Sequence, residues 1–360
     1  MTSEFERLLE QSRELAKNTV SENTKRSYSS DFGIFEKWCD ENDLVSLPAT
    51  IPTIAAYVAA CKERRLKTAT VERYLSSISQ AHELSGYDNP TVDPMVRETM
   101  KGYRRERGTA QNRVKPLLLE QLIRITEQLG TSIKGMRDAA ILTVGWMAAL
   151  RRSEISALTR DDIESVTEGL IVHVRRSKTD QEGAGRSVGI PFGTDRFCPV
   201  AIIRRWYTVA QIDDGPLFFG VYRGANKKMF STKFKPRKAL NDRTIAEVVK
   251  KSLELAGYDS VGYSGHSLRA GFCTSAGSAG VPEHMIMRHT GHRSERVMRG
   301  YIRDGELFTT NPLVTLLGLA PGPRVAPEIH QYLESNQVEA SRKLLAHEVS
   351  DPESDLPEQF

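Results

Sequence analysis

The stretch Ser264-Gly265-His266-Ser267-Leu268-Arg269-Ala270 is followed by Gly291-His292 and then by Arg299-Gly300-Tyr301-Ile302-Arg303. If the first piece is helical, His266 and Arg269 stand three apart on one face, so both side chains can reach the same group. Two upstream pieces extend the set, Leu150-Arg151-Arg152-Ser153-Glu154 and Arg176-Ser177-Lys178. Together the four segments supply a tyrosine, two arginines, a lysine and two histidines.

Those residue types suit the breaking of a phosphodiester. The reaction needs an oxygen nucleophile, cationic donors around the two non-bridging oxygens, and an acid for the departing alkoxide. Tyr301 fits the first role, because a phenol with an ordinary pKa of about 10 leaves far more readily than a sugar hydroxyl and keeps the linkage reversible. One ester replaces another, so rejoining needs neither ATP nor a metal, and no cofactor is expected. Arg151 and Arg269 offer planar, permanently charged forks, and His266 and His292 offer further donors. Lys178, on the shoulder of an expected hairpin, suits the general acid. Glu154, three residues beyond Arg151, is expected to hydrogen-bond a histidine and fix its tautomer.

Taken singly, each residue has a plainer reading. HxxR pairs often meet carboxylates on helix surfaces, a lone tyrosine is usually a half-buried aromatic, and a hairpin lysine is usually solvated. Arginines after a buried helix ordinarily complement its dipole. The conjunction, in order and in context, carries the chemistry.

Composition bounds the partners. Residues 321–360 hold eight acidic side chains against three basic ones, so the overall charge of +4 conceals a body at +9. A basic body suits a polyanion such as DNA. No run of eighteen apolar residues occurs, and Met1 to Ala16 is a charged amphipathic stretch without a signal-peptide core, so no membrane partner is expected. Cys39, Cys61, Cys198 and Cys273 form no CxxC pair. They read as reduced thiols of a cytoplasmic protein rather than as a disulfide frame or zinc site.

Periodicity gives the organisation. Tyr28, Phe32, Phe35 and Trp38 recur at helical spacing, Ile51 to Ala60 and Thr68 to Leu84 continue the pattern, and four or five helices make a small bundle. The segment from Tyr103 to Val114 lacks an apolar period and reads as linker. Beyond it, Leu117 to Leu129 and the nearly apolar Lys134 to Ala149 read as helices, the second buried and delivering Arg151 at its end. Gly169 to Arg176 and Arg186 to Pro191 read as a hairpin around Gln181 to Gly185. Pro199 to Ala210 and Asp242 to Ala256 are helical again. The expected domains are an N-terminal helical bundle over 1–105, a linker over 106–114, a second domain over 115–320 and an acidic tail over 321–360.

In order and context these motifs resemble the tyrosine recombinases, and most nearly the Cre-type branch, over residues 20 to 320. The resemblance implies a mainly α fold: a helical, SAM-like core-binding bundle joined to a mostly helical catalytic domain with a small antiparallel sheet, closing as a C-shaped clamp on DNA. It makes Tyr301 the nucleophile, Arg151, His266, Arg269 and His292 the phosphate holders, and Lys178 the general acid. It further implies double-stranded DNA with an inverted-repeat site as the partner, and a homotetramer that exchanges the C-terminal helix Leu307 to Leu319 and works through a Holliday junction. One departure is that Cre carries tryptophan where this chain has His292. Arg26, Lys67, Lys235, Arg237 and Arg243 fall in segments expected to face DNA, where most such residues contact phosphate rather than bases. An integrase that needs accessory factors, a type IB topoisomerase-like enzyme and a clamp that only binds DNA stay open as competing readings.

Overall fold

The computed structural model describes residues 22–109, 113–175, 185–221, 238–292, 294, 295, 298, 300 and 301, together with Glu4, Arg7, Gln11 and Leu316. The chain forms two compact units, Met1–Asn112 and Arg113–Phe360.

In the first unit α1 (Glu22–Asp40), α2 (Ile51–Glu63), α3 (Thr68–Leu84) and α4 (Pro94–Arg107) pack around an aromatic core. Phe35 meets Tyr57 edge-on at 4.9 Å, and Trp38 lies 5.1 Å from the same ring. The expected aromatic face of α1 is therefore the core face, and edge-to-face pairs of this kind add to area burial. Arg73 on α3 grips the buried Asp31 on α1 with two bonds, of 2.5 and 2.9 Å. His82 accepts the Ala49 N–H on Nε2 at 2.8 Å while its Nδ1 lies 2.8 Å from the Ile78 carbonyl, so the Nδ1–H tautomer staples α3 to the turn before α2. The segment from Tyr103 differs from expectation. Tyr103 to Arg107 is the last turn of α4, because the Tyr103 ring is buried and its hydroxyl donates to the Leu66 carbonyl at 2.7 Å. The arginines that made this stretch look like linker complement the negative end of that helix.

The second unit is built on α6 (Ile133–Met147), buried from Gly135 to Trp146. Around it stand α5 (Leu119–Gln128), α7 (Arg152–Ala157), α8 (Pro199–Val209), α9 (Asp242–Leu255), α10 (His266–Ser278) and α11 (Glu283–Thr290). The sheet has three antiparallel strands in the order β1 (Ile163–Val166), β2 (Gly169–Val174), β3 (Arg186–Pro191). The hairpin β2–β3 is the expected one; β1 is an addition, too short and polar to show a period of two. Leu170 pairs with Ile190 and Val172 with Val188, which sets those four on the core face. Arg186 shares the register of Val188 and Ile190, so a charged side chain enters the unit from the inward face of an edge strand.

Backbone closeness fixes α10. Leu117 donates its N–H to the Ser267 carbonyl at 3.0 Å and accepts the Trp146 indole N–H at 2.8 Å. A Cβ at Gly271 would collide with the Leu117 carbonyl. Gly271→Ala is expected to destabilise the second unit by about 1–3 kcal/mol through overpacking, measured as a lower urea midpoint at unchanged slope. Among the described residues no helix is long and apolar enough to cross a membrane, no cluster of three metal-ligating side chains occurs, and the four cysteines are free.

Candidate active site

Arg151 caps the start of α7, and its placement follows from the end of α6. Ala149 adopts a left-handed conformation, φ 49°, which stops the helix and turns the chain into Leu150 and Arg151. The Arg151 N–H donates to Glu154 Oε2 at 3.0 Å and its Nη1 to Glu154 Oε1 at 2.6 Å. Glu154 is thus a bracket for arginines: its Oε2 also accepts Arg186 Nη2 at 3.3 Å. This corrects the expectation that Glu154 orients a histidine. The carboxylate is buried between two guanidinium groups and tied to its own helix start, which leaves the imidazoles to other partners.

Three consecutive carbonyls at the end of α6 hold three site side chains. Met147 accepts from His289 Nε2 at 2.7 Å, Ala148 from Arg186 Nη1 at 3.3 Å, and Ala149 from Arg269 Nη1 at 2.7 Å. These are carbonyls that a helix end leaves without intrahelical partners, and they sit at the negative end of its dipole. Arg269 is fully buried, and its Nε and Nη2 make no hydrogen bond to the described residues. Burial, reinforced by Arg151, lowers its pKa to about 10, which leaves it charged at neutral pH.

His266, at the start of α10, meets the nucleophile candidate: His266 Nε2 lies 3.0 Å from the Tyr301 hydroxyl. His292 follows Gly291, which ends α11 in a left-handed conformation at φ 69°. Its Nδ1 lies 2.7 Å from Thr290 Oγ1, and its ring centre is 6.1 Å from that of Tyr301. Tyr301 packs beside Cys273, Ile286 and Met298, and Arg113 Nη1 donates to the preceding Gly300 carbonyl at 3.1 Å. Burial and Cys273 raise the phenol above its usual pKa, while Arg269, Arg113 and Arg151 pull it back. The hydroxyl therefore keeps its proton until a base takes it, and His266 Nε2 is in contact with it.

Arg151, His266, Arg269, His292 and Tyr301 thus converge, with Glu154 behind them. Lys178, Lys235 and Arg237 lie outside the described residues. Arg26 and Lys67 are exposed on the first unit and Arg243 on the second, where it faces Glu247 at 3.9 Å. Sequence reasoning missed Arg186 and His289. Arg186 carried one usable signal, its inward register on β3. His289, stacked on Phe272 at a 4.3 Å ring separation, had none.

The family model described as "Phage integrase family" matches residues 113–306, and that of its N-terminal SAM-like domain matches residues 4–83. The chain belongs to the phage integrase family, the tyrosine recombinases. As a member it is a DNA recombinase that acts by tyrosine transesterification. The integrase/recombinase xerD homolog of Selenomonas ruminantium is 34% identical over 313 residues, covering 86% of this chain and 89% of that protein. The recombinase cre of Escherichia phage P1 is 25% identical over 314 residues, 84% and 89% of the two chains. In fold, this recombinase aligns with lambda integrase, from the crystal structure of its tetramer bound to a Holliday junction, at a TM-score of 0.54 and 15% identity, over 82% of this chain and 75% of that one.

The half-buried imidazoles of the recombinase give its stability a pH dependence of known sign. Burial, followed by the charges of Arg269 and Arg151, lowers His292 to about 3 and also lowers His266; burial is the main cause for His289. The unfolded chain, with histidines near 6.5, binds protons first as pH falls. Stability is therefore complete above about pH 6.5 and is lost progressively toward each depressed folded value, for His292 down to about 3. The urea midpoint is expected to be lower at pH 5 than at pH 7, and His292→Gln to narrow that difference.

Proposed function

We propose that this recombinase acts site-specifically, cutting and rejoining DNA through a 3'-phosphotyrosine at Tyr301. The phenolic oxygen forms a bond to phosphorus as the bond to the 5'-oxygen breaks. The phenol proton passes to His266 Nε2, and Lys178 supplies the proton that the 5'-alkoxide takes up. Arg151, Arg269 and His292 hold the non-bridging oxygens, and Glu154 fixes Arg151. Reversal by the 5'-hydroxyl of another strand reseals the backbone, with the ester bond kept throughout.

The observation that carries this reading is the 3.0 Å contact of His266 Nε2 with the Tyr301 hydroxyl, beside a buried Arg269 with two donors to spare. A phosphate oxygen satisfies such donors with charge-assisted bonds that strengthen as charge develops. We assign residues 1–105 to a core-binding domain, 115–320 to the catalytic domain and 321–360 to an acidic tail. Arg26, Lys67, Lys235, Arg237 and Arg243 are assigned to phosphate contacts. The working assembly is a tetramer on two inverted-repeat sites that passes through a Holliday junction, with Leu307–Leu319 docked in the neighbouring subunit. Head-to-tail donation of this kind closes a ring.

The test is selection of a randomised duplex library, built with an inverted-repeat frame and a central nick, for adducts that survive denaturation, with Tyr301→Phe run alongside. Adducts that depend on Tyr301 and converge on one sequence support both the chemistry and the site specificity. Binding without adducts points to a required accessory factor or to a binding-only clamp.

A further inference from the structure

Arg186 is a guanidinium at this site that the chemistry above does not use. It enters from the core-facing register of β3, is 14% exposed, and bonds to α7, to the turn that ends α6 and to α11. Nη2 donates to Glu154 Oε2 at 3.3 Å, and Glu154 in turn holds Arg151. Nη1 donates to the Ala148 carbonyl at 3.3 Å, one residue before the carbonyl that holds Arg269. The same Nη1 donates to the His289 carbonyl at 2.7 Å, at the end of α11 and three residues before His292. A Cβ at Gly291 would lie 3.0 Å from Arg186 Cδ, so the stem of the arginine also packs under the left-handed turn that sets His292.

We propose that Arg186 is a positioning residue for strand cleavage, a three-way strut that fixes the Arg151, Arg269 and His292 corners of the phosphate pocket relative to one another. Its two Nη atoms face a carboxylate and two carbonyls, which take the end of the fork with which it would otherwise grip a phosphate, while its buried Nε makes no hydrogen bond to the described residues. The planar fork matters as well as the charge. A flexible ammonium has no fixed geometry with which to hold three acceptors on three elements. Because its partners sit on α6, α7 and α11, loss of the fork lets these elements shift independently, and a displacement of 1 Å at a reacting group costs about 100-fold in rate.

This inference rests on Tyr301 being the nucleophile, so its test has two arms that fail separately. The first compares the imidazole nitrogen resonances of His292 in DNA-free wild type, Arg186→Lys and Arg186→Gln at pH 7. The second measures single-turnover adduct formation on nicked duplexes recovered by the selection above, with duplex affinity measured in parallel. Arg186→Gln is expected to move the His292 resonances and to slow adduct formation about 100-fold at unchanged affinity. Arg186→Lys should recover part of the loss, to about tenfold below wild type. General loosening would reduce affinity and melting temperature along with rate, and that pattern overturns the proposal. So does an Arg186→Lys protein at the wild-type rate, which would mean that charge alone suffices. If Arg186→Gln does not fold, the lysine variant decides. If the wild type forms no adduct, the proposed strand cleavage by this protein alone fails, and unmoved His292 resonances in Arg186→Lys would then overturn the strut independently.

Discussion

Tyr301→Phe is expected to bind duplex DNA as tightly as the wild type, within about twofold, and to form no adduct that survives denaturation. The expectation follows from what the substitution removes. Phenylalanine keeps the packing of the ring beside Cys273, Ile286 and Met298, so the local core is retained. The hydroxyl loses one hydrogen bond, to His266, worth about 1 kcal/mol. Affinity for DNA comes from many basic contacts, and the phenol adds none of that charge. A gel-shift titration beside a denaturing adduct assay separates the two effects. Adducts persisting in Tyr301→Phe would move the nucleophile to another residue.

The second large effect is expected at Arg269, in opposite directions for stability and catalysis. Among the described residues this fully buried guanidinium has one carbonyl partner and two donors without hydrogen bonds, which burdens the DNA-free fold, since each unsatisfied buried group costs about 1–3 kcal/mol. Methionine fills similar space without polar atoms. Arg269→Met should therefore leave the DNA-free protein as stable as wild type or more stable, by up to about 3 kcal/mol in urea titrations, after allowing for the donor lost by the Ala149 carbonyl. Adduct formation should fall about 10²–10³-fold, as when an oxyanion donor is removed. A clear loss of stability would show that the guanidinium is net favourable without DNA and that its donors are not held in readiness for a ligand.

The residues that sequence could reveal are those whose identity matters one at a time. His266, Arg269, His292 and Tyr301 could be read together because their spacing places them on a helix start and on segments close after it. Helices whose apolar period is long, such as α1, α3 and α6, were legible for the same reason: a buried stripe must repeat. What escaped depends on tertiary context. β1 is four residues with two exposed polar side chains, and only pairing with β2 makes it a strand. Tyr103 to Arg107 looked like linker because arginines mask a helix end whose one apolar anchor is a single buried ring. Spacing sets Glu154 beside Arg151, but spacing along one helix cannot reveal that its second partner, Arg186, arrives from a strand. The sockets for Arg186, His289 and Arg269 are backbone carbonyls, and these carry no side-chain signature at all.

Those sockets at Met147, Ala148 and Ala149 bear on how the site tolerates change over generations. Replacing one of these three side chains removes no carbonyl, so a substitution there reaches the anchored groups only through packing, which is tight at the fully buried Ala148 and Ala149. A carbonyl also holds a guanidinium without cancelling its charge, as an aspartate in the same place would. The exposure to mutation shifts to backbone shape: a β-branched residue at Ala149, where φ is 49°, or a one-residue insertion after Met147, would displace three anchors together. Drift at Ala148 and Ala149 should therefore be confined to small side chains and closed in length.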